Sequence, residues 1–229
     1  MTADTYINVK ICFVMDCTGS MEPWIEQAKT RIVEITDSVS VEHPSARCRV
    51  GFVGYRDYGD REQSIVIPFQ HPEDAMERIQ GIHADGGDDI AEDVAHGLQN
   101  ALHMDWSGAD VRMVVHIADA PAHGRMYHSP LLSDRYPRGD PAGVQLDDVV
   151  QRLSSSNIDF TFVKINDSTD TMLEAFHNCY AHGGMFRVLD LRPQSIGGSF
   201  HADTSTLLPP LLSRAITQSI GQHTISQEL

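Results

Sequence analysis

The chain has 229 residues, and 17 Lys+Arg against 32 Asp+Glu give it a formal net charge of −15 at pH 7. So acidic a chain lacks the basic surface that binds nucleic acid or an anionic membrane, and we expect neither partner. The length favours one domain over residues 1–229, with a core that needs no disulfide framework. Four cysteines without a CxxC pair, no signal peptide and no apolar run long enough to cross a membrane predict a soluble, cytoplasmic protein.

Apolar strands and amphipathic helices alternate in the first part of the chain. The run Ile7–Met15 predicts a strand buried on both faces, and apolar residues at helical spacing predict a helix over Ile25–Val39. Two further strands, Arg49–Tyr55 and Ser64–Phe69, are joined by a short turn, which favours an antiparallel hairpin. Pro68 cannot donate a ladder hydrogen bond, so the second of these strands should lie at a sheet edge.

The rest of the chain continues the alternation. We predict helices over Pro72–Ile82, Ile90–Ala101 (with Asp88 or Asp89 as N-cap), Leu146–Leu153, Met172–Tyr180 and Leu208–Ile216, strands over Val111–Ala118, Ile158–Ile165 and Met185–Leu189, and a long loop over Ala120–Gly143. The predicted fold class is α/β: a Rossmann-like, doubly wound, mainly parallel six-stranded sheet with one antiparallel edge strand and helices on both faces.

Oxygen-bearing side chains are concentrated in three of the predicted loops. Asp16, Thr18 and Ser20 offer a carboxylate and two hydroxyls at alternate positions after the first strand. Asp89 ends a segment with the sequence Asp-Gly-Gly-Asp-Asp, and Asp119 follows the strand at 111–118. Because ligands of such sheets bind at the carboxyl ends of the strands, we expect these loops to meet and predict a metal site there, with Asp85 and Asp88 also available in the second loop. Oxygen donors suit Mg²⁺, with Mn²⁺ or Ca²⁺ as alternatives.

Two other readings of these polar residues remain open. Asp16, Ser20 and Asp89 could simply cap helices, since Ser and Asp are favoured at N-caps. A second possibility is a transition-metal site, because three histidines occur around the third loop. These histidines are His116, His123 and His128.

The loop sequences resemble a known family. Asp16-x-Thr18-x-Ser20 after an apolar strand resembles the D-x-S/T-x-S motif of von Willebrand factor type A domains, where it forms the metal-ion-dependent adhesion site. Gly86-Gly87-Asp88-Asp89 with Ala91-Glu92 is similar to the second loop of that family, and Asp119 matches the aspartate of the third. Residues 52–57 and 118–121 are similar to A domains found beside alpha-type protein kinases, and the resemblance runs from residue 6 to about residue 220.

The resemblance implies a non-enzymatic protein-interaction module, complete in itself or part of a larger protein. Thr18 and Ser20 would coordinate Mg²⁺ through their hydroxyls, and Asp16 and Asp119 would act mostly through water. A partner protein would then present an acidic side chain to the ion. This chain departs from many family members at Asp89, where they carry threonine; direct ligation by this carboxylate would strengthen metal binding and weaken the attraction for an outside acid.

The alternative function is a Mg²⁺-dependent phosphohydrolase on a similar doubly wound fold. Such enzymes usually carry a second acidic residue two positions after the nucleophilic aspartate, where this chain has Thr18. They also need a lysine near the phosphate, whereas Lys29 lies inside the predicted helix. With no glycine-rich nucleotide fingerprint either, we expect no catalytic activity.

Overall fold

The computed structural model describes residues 6–180, 183–192 and 208–227. The strands are β1 (Ile7–Asp16), β2 (Ala46–Tyr55), β3 (Ser64–Gln70), β4 (Val111–Ala118), β5 (Asp159–Lys164) and β6 (Phe186–Asp190). The helices are α1 (Glu22–Glu42), α2 (Pro72–Ile79), α3 (Val94–Leu102), α4 (Leu146–Ser155), α5 (Asp170–Cys179) and α6 (Leu208–Gln227). A short 3-10 turn, Gly19–Met21, links β1 to α1.

The strands form one six-stranded sheet in the order β3-β2-β1-β4-β5-β6. All neighbours are parallel except β2 and β3, which pair antiparallel. The predicted fold class is therefore confirmed, including the antiparallel strand at the edge. The edge position leaves one side of β3 without a partner strand, and this is why Pro68 is tolerated there.

The strand order reverses at β1, because the chain passes from β1 to β2 on one side and β4 lies on the other. Met15 near the end of β1 is paired with Ile117 near the end of β4. The loops that follow these two strands therefore leave the sheet side by side, at the point where ligands of open α/β sheets bind.

Helices cover both faces of the sheet, each over its own apolar core. Alternate residues of β1 point to opposite sides: Phe13 packs with residues of α1, α2 and α6, and Val14 packs with residues of α3, α4 and α5. Two buried faces explain why the central strands are almost continuously apolar.

Helix α3 differs from its predicted form. It begins at Val94, and Asp93 is its N-cap, because an Oδ1 atom of Asp93 accepts a hydrogen bond from the His96 amide at 3.2 Å. The prediction that the helix starts near Ile90 with Asp88 or Asp89 as cap was wrong. Residues 89–92 instead belong to the loops at the carboxyl end of the sheet.

Candidate functional site

The first loop is organised around Asp16, the last residue of β1. Its Oδ1 accepts hydrogen bonds from the Thr18 amide (2.8 Å) and the Thr18 hydroxyl (2.7 Å). The side chain is fully buried, and its Oδ2 has no hydrogen-bond partner. Burial raises the pKa of Asp16 to about 7, and repulsion from Asp119 and Asp57 adds to the increase.

Asp119 lies in the neighbouring loop, directly after β4. Its backbone carbonyl accepts hydrogen bonds from the Asn166 amide group (2.7 Å) and the Ser168 hydroxyl (2.6 Å), which hold the turn in place. Its Oδ1 is buried without a partner. Burial raises the pKa of Asp119, and a hydrogen bond with Ser20 opposes that change.

The second loop is joined to the first through backbone hydrogen bonds. The Asp85 amide donates to the Cys17 carbonyl at 3.0 Å, and the Gly19 amide donates to the Gly86 carbonyl at 3.2 Å. Gly86 and Gly87 have φ values of +85° and +89°, in the left-handed region that favours glycine. These two glycines let the loop turn beside residues 16–20.

Asp89 lies in the second loop but has a different set of neighbours. Its Oδ2 accepts a hydrogen bond from the Arg135 amide at 2.5 Å, and its Oδ1 is buried without a partner. Burial raises its pKa; the Arg135 amide opposes this, while contact with the carboxyl group of Asp57 adds to it. Asp89 thus stands beside the long loop and Asp57.

Glu92 is a residue of this region that the sequence prediction did not assign to the site. It is 3% exposed, and its Oε2 has no hydrogen-bond partner. Its Oε1 and the Cβ of Thr18 each lie 3.2 Å from the point where a Gly87 side chain would begin. The resemblance had included Ala91-Glu92 in the second loop, and that was the available signal for it.

The helix-capping alternative is not supported by the described helix ends. Thr18 and Met21 precede the 3-10 turn and α1, and neither end has a side-chain cap hydrogen bond. Helix α3 is capped by Asp93. Asp16, Ser20 and Asp89 therefore have no capping role that would explain them.

Of the three histidines considered for a transition metal, His116 lies apart, whereas His123 and His128 share Asp134 as a partner: His128 Nε2 lies 3.0 Å from Asp134 Oδ2. His116 Nε2 lies 2.8 Å from the Tyr55 hydroxyl inside the sheet. His123 Nε2 lies 2.6 Å from Asp57 Oδ1, and its Nδ1 lies 2.9 Å from Asp134 Oδ1. Burial lowers the pKa of His123, but the hydrogen bonds and charges of the two carboxylates outweigh this effect and raise it. His116 therefore does not share a site with the other two histidines, which meet at Asp134.

Two mixed groups of carboxylates and imidazoles with metal-compatible spacing occur among the described residues, and one of them includes the predicted site residue Asp89. Their ligand atoms lie within 4.8 Å of one another, and their members already hydrogen-bond with each other or with the backbone. The groups are Asp89–His123–Asp134 and Asp93–His96–Asp140.

Comparisons with known proteins identify the family. A family model described as von Willebrand factor A domain matches residues 10–133, which is more than half of the chain. The chain belongs to the von Willebrand factor A domain family. The matched region runs from within β1 to beyond the end of β4 and includes all three oxygen-rich loops.

An annotated relative and two solved structures extend this result. The chain is 39% identical over 172 residues to the alpha-protein kinase vwkA of Dictyostelium discoideum, covering 73% of this chain and 27% of that protein. It therefore spans about a quarter of the length of this relative. The pilus adhesin SpaC of Lactobacillus rhamnosus GG in its open conformation (TM-score 0.61, 14% identity) covers 92% of this chain, which in turn spans 30% of SpaC. The SpRpn10 VWA domain (TM-score 0.56, 12% identity) covers 88% of this chain, which in turn spans 94% of that structure.

Membership of the von Willebrand factor A family suggests that the chain is a protein-interaction module. Domains with this fold are generally non-enzymatic. Among the described residues, we find no helix that is both long and apolar enough to cross a membrane.

Proposed function

We propose that this chain is a protein-interaction module whose binding depends on a divalent cation at the carboxyl end of β1 and β4. One observation carries the proposal: the Oδ2 of Asp16 and the Oδ1 of Asp119 are both buried without hydrogen-bond partners, and the two carboxylates repel each other. Buried acceptors of this kind are rare in folded proteins and call for a ligand. A cation would satisfy both oxygens and offset the repulsion between the two carboxylates.

The donor set fits a hard cation, with Mg²⁺ preferred and Mn²⁺ or Ca²⁺ as alternatives. Thr18 and Ser20 would provide hydroxyl oxygens, while Asp16 and Asp119 would accept from water on the ion or ligate it. The second loop, where the sequence predicts Asp89, would add a carboxylate. When bound, the ion supplies an electrophilic centre that attracts an oxygen donor from outside. Within the site, Asp16 also fixes the Thr18 hydroxyl through the 2.7 Å hydrogen bond.

We propose an acidic side chain of another protein as the partner group. The chain carries a formal net charge of −15, so an acidic partner would be repelled by the protein as a whole. Attraction must then come from a local positive centre, which the cation would provide. Binding should therefore be lost in chelator even if the fold is unchanged.

Thermal melting with and without Mg²⁺ tests the metal-binding part. Wild type should melt at a higher temperature in millimolar Mg²⁺, because the ion binds the native state only. Asp16→Ala should fold but show no such increase. Asp88→Asn is the matched control, because the Asp88 side chain is 74% exposed and pairs with Arg135, and it should behave as wild type. An unchanged melting temperature for wild type in Mg²⁺, Mn²⁺ and Ca²⁺ would contradict the proposal.

The phosphohydrolase alternative is not favoured by the surroundings of Asp16. Such an enzyme would direct a lysine amine to the phosphate. The Lys29 amine instead forms an ion pair with Glu26 at 2.7 Å within α1. Activity on a generic phosphoester that depends on Asp16 would reverse this ranking.

We further propose a cytoplasmic module that folds as one domain over residues 1–229 and can serve within a larger protein. All four cysteines are unpaired, which is typical of a reducing compartment. The Dictyostelium relative, of which the matched part is 27%, illustrates the larger setting. Pull-down from lysate with and without chelator, using wild type and Asp16→Ala, would show whether partner capture requires the ion.

A further inference from the structure

Glu92 is fixed between the second and third loops by its backbone. Its amide donates to the Pro121 carbonyl at 2.9 Å, and its carbonyl accepts from the His123 amide at 3.4 Å. Glu92 and Ala122 form an isolated parallel bridge. The residue is therefore tied to the loop that carries Asp119, although it comes from the loop before α3.

The Glu92 side chain is buried, unlike most glutamate side chains in folded proteins. It is 3% exposed, yet its Oε2 has no hydrogen-bond partner. Among the carboxylates that repel Glu92, Asp16 has the largest effect, ahead of Asp57, Asp60 and Asp89. A buried carboxyl in this position is costly for the fold unless a positive ligand is present.

The surroundings of Asp89 contrast with those of Glu92. Asp89 also has one buried oxygen without a partner, Oδ1, but its Oδ2 accepts the Arg135 amide hydrogen bond, and the carboxylate that acts on it is Asp57, not Asp16. Glu92 also lies near Thr18 of the first loop. A Cβ atom at Gly87 would be 3.2 Å from Glu92 Oε1 and 3.2 Å from Thr18 Cβ.

We propose that Glu92, rather than Asp89, supplies the second-loop carboxylate to the cation. This inference rests on the proposed function, because it assumes a cation beside Asp16 and Asp119. A third carboxylate next to the ion neutralises more of its charge. Glu92 would accordingly strengthen retention of the ion and temper the attraction for an acidic partner.

Calorimetric titration with Mn²⁺ alone, at fixed pH and ionic strength, tests this assignment. Glu92→Gln keeps the size of the side chain and removes its charge, and we expect the Mn²⁺ dissociation constant to rise about ten-fold or more. Asp88→Asn, at a side chain that is 74% exposed, is the matched control, and we expect a change of less than about three-fold. Asp89→Asn tests the competing second-loop carboxylate and should lose less Mn²⁺ affinity than Glu92→Gln. Equal constants for wild type and Glu92→Gln, or a larger loss in Asp89→Asn, would overturn the assignment.

Two further measurements separate the possible failures. Melting without metal should place Glu92→Gln at or above wild type, because the variant buries no ionisable carboxyl; a large decrease together with weak Mn²⁺ binding would mean that Glu92 acts through the fold, against the assignment. If wild type itself releases no heat with Mn²⁺, the proposed function fails. If wild type binds and Glu92→Gln binds equally well, only the role of Glu92 fails.

Discussion

Gly87 has a backbone conformation and a neighbourhood that a side chain would disturb. Its φ is +89°, and a Cβ would lie 3.2 Å from both Glu92 Oε1 and Thr18 Cβ. Gly87→Ala should therefore lose about 1–2 kcal/mol of stability from the left-handed backbone and weaken Mn²⁺ binding by displacing those neighbours.

Gly59→Ala is the control for Gly87→Ala. Gly59 has a φ of +97°, and nothing lies within 4 Å of the position of a Cβ atom there. Alanine at this position would therefore add the same kind of backbone strain without contacts at the site. Urea unfolding and Mn²⁺ titration of both variants would separate the two effects. Equal Mn²⁺ affinity in the two variants would contradict the placement of Gly87 at the cation site.

Asp16 gives the site a defined dependence on pH. Its pKa is raised from 3.8 to about 7, so between those values the folded state holds a proton that the unfolded state has released. Stability without metal should therefore fall as pH rises from about 4 to about 7. The stabilisation by Mg²⁺ should grow over the same range, because cation binding needs the ionised carboxylate.

Melting at pH 5 and pH 8, with and without Mg²⁺, measures this dependence. Asp16→Asn, compared with wild type, isolates this carboxyl from other titrating groups. A Mg²⁺-induced increase in melting temperature that is as large at pH 5 as at pH 8 would contradict the account.

Helix α3 depends on Asp93 for its first turn. The Asp93 carboxylate accepts from the His96 amide at 3.2 Å and lies 2.9 Å from the His96 ring. We expect Asp93→Ala to cost about 1 kcal/mol in the free energy of urea unfolding. Asp93→Asn, which keeps an acceptor, should cost less. Equal losses in both variants would show that charge, and not capping, is the contribution of this residue.

The same helix shows where sequence patterns stop being sufficient. Ile90 fits a helical spacing with Val94, yet it is 48% exposed, and the helix begins at Val94. The loop before it is instead bonded to residues 121–123 and Arg135, which lie about 30 to 45 positions later in the chain. These long-range contacts determine the conformation of the loop, and they cannot be predicted from the local spacing of apolar residues.

The strands and most of the candidate site could be predicted, for a physical reason. Buried parallel strands are almost continuously apolar, and Asp16 and Asp119 interrupt that pattern where β1 and β4 end. Their meeting then follows from the parallel sheet. Glu92 could not be assigned in this way, because the predicted helix would place it among the polar residues on the solvent-facing side. Its burial depends on the bridge to Ala122.

The whole molecule is stabilised by two separate apolar cores, one on each face of the sheet. Phe160 is fully buried in the α3–α5 core, with its ring 5.9 Å from that of Phe176 and 5.7 Å from that of Phe186. Phe160→Ala should cost about 3–5 kcal/mol in unfolding free energy. Leu131→Ala is the control, because Leu131 is 96% exposed and should change stability by less than about 0.5 kcal/mol. A loss below about 1 kcal/mol for Phe160→Ala would contradict the described packing.

At the scale of the molecule, the proposed function depends on one cation between the loops that follow β1 and β4. Mn²⁺ can replace Mg²⁺ in oxygen-ligand sites, and its anomalous scattering identifies it in crystals. A crystal structure grown with saturating Mn²⁺ should contain one anomalous peak among Asp16, Thr18, Ser20 and Asp119. Solvent density alone at that position, with Mn²⁺ found elsewhere or not at all, would contradict the account.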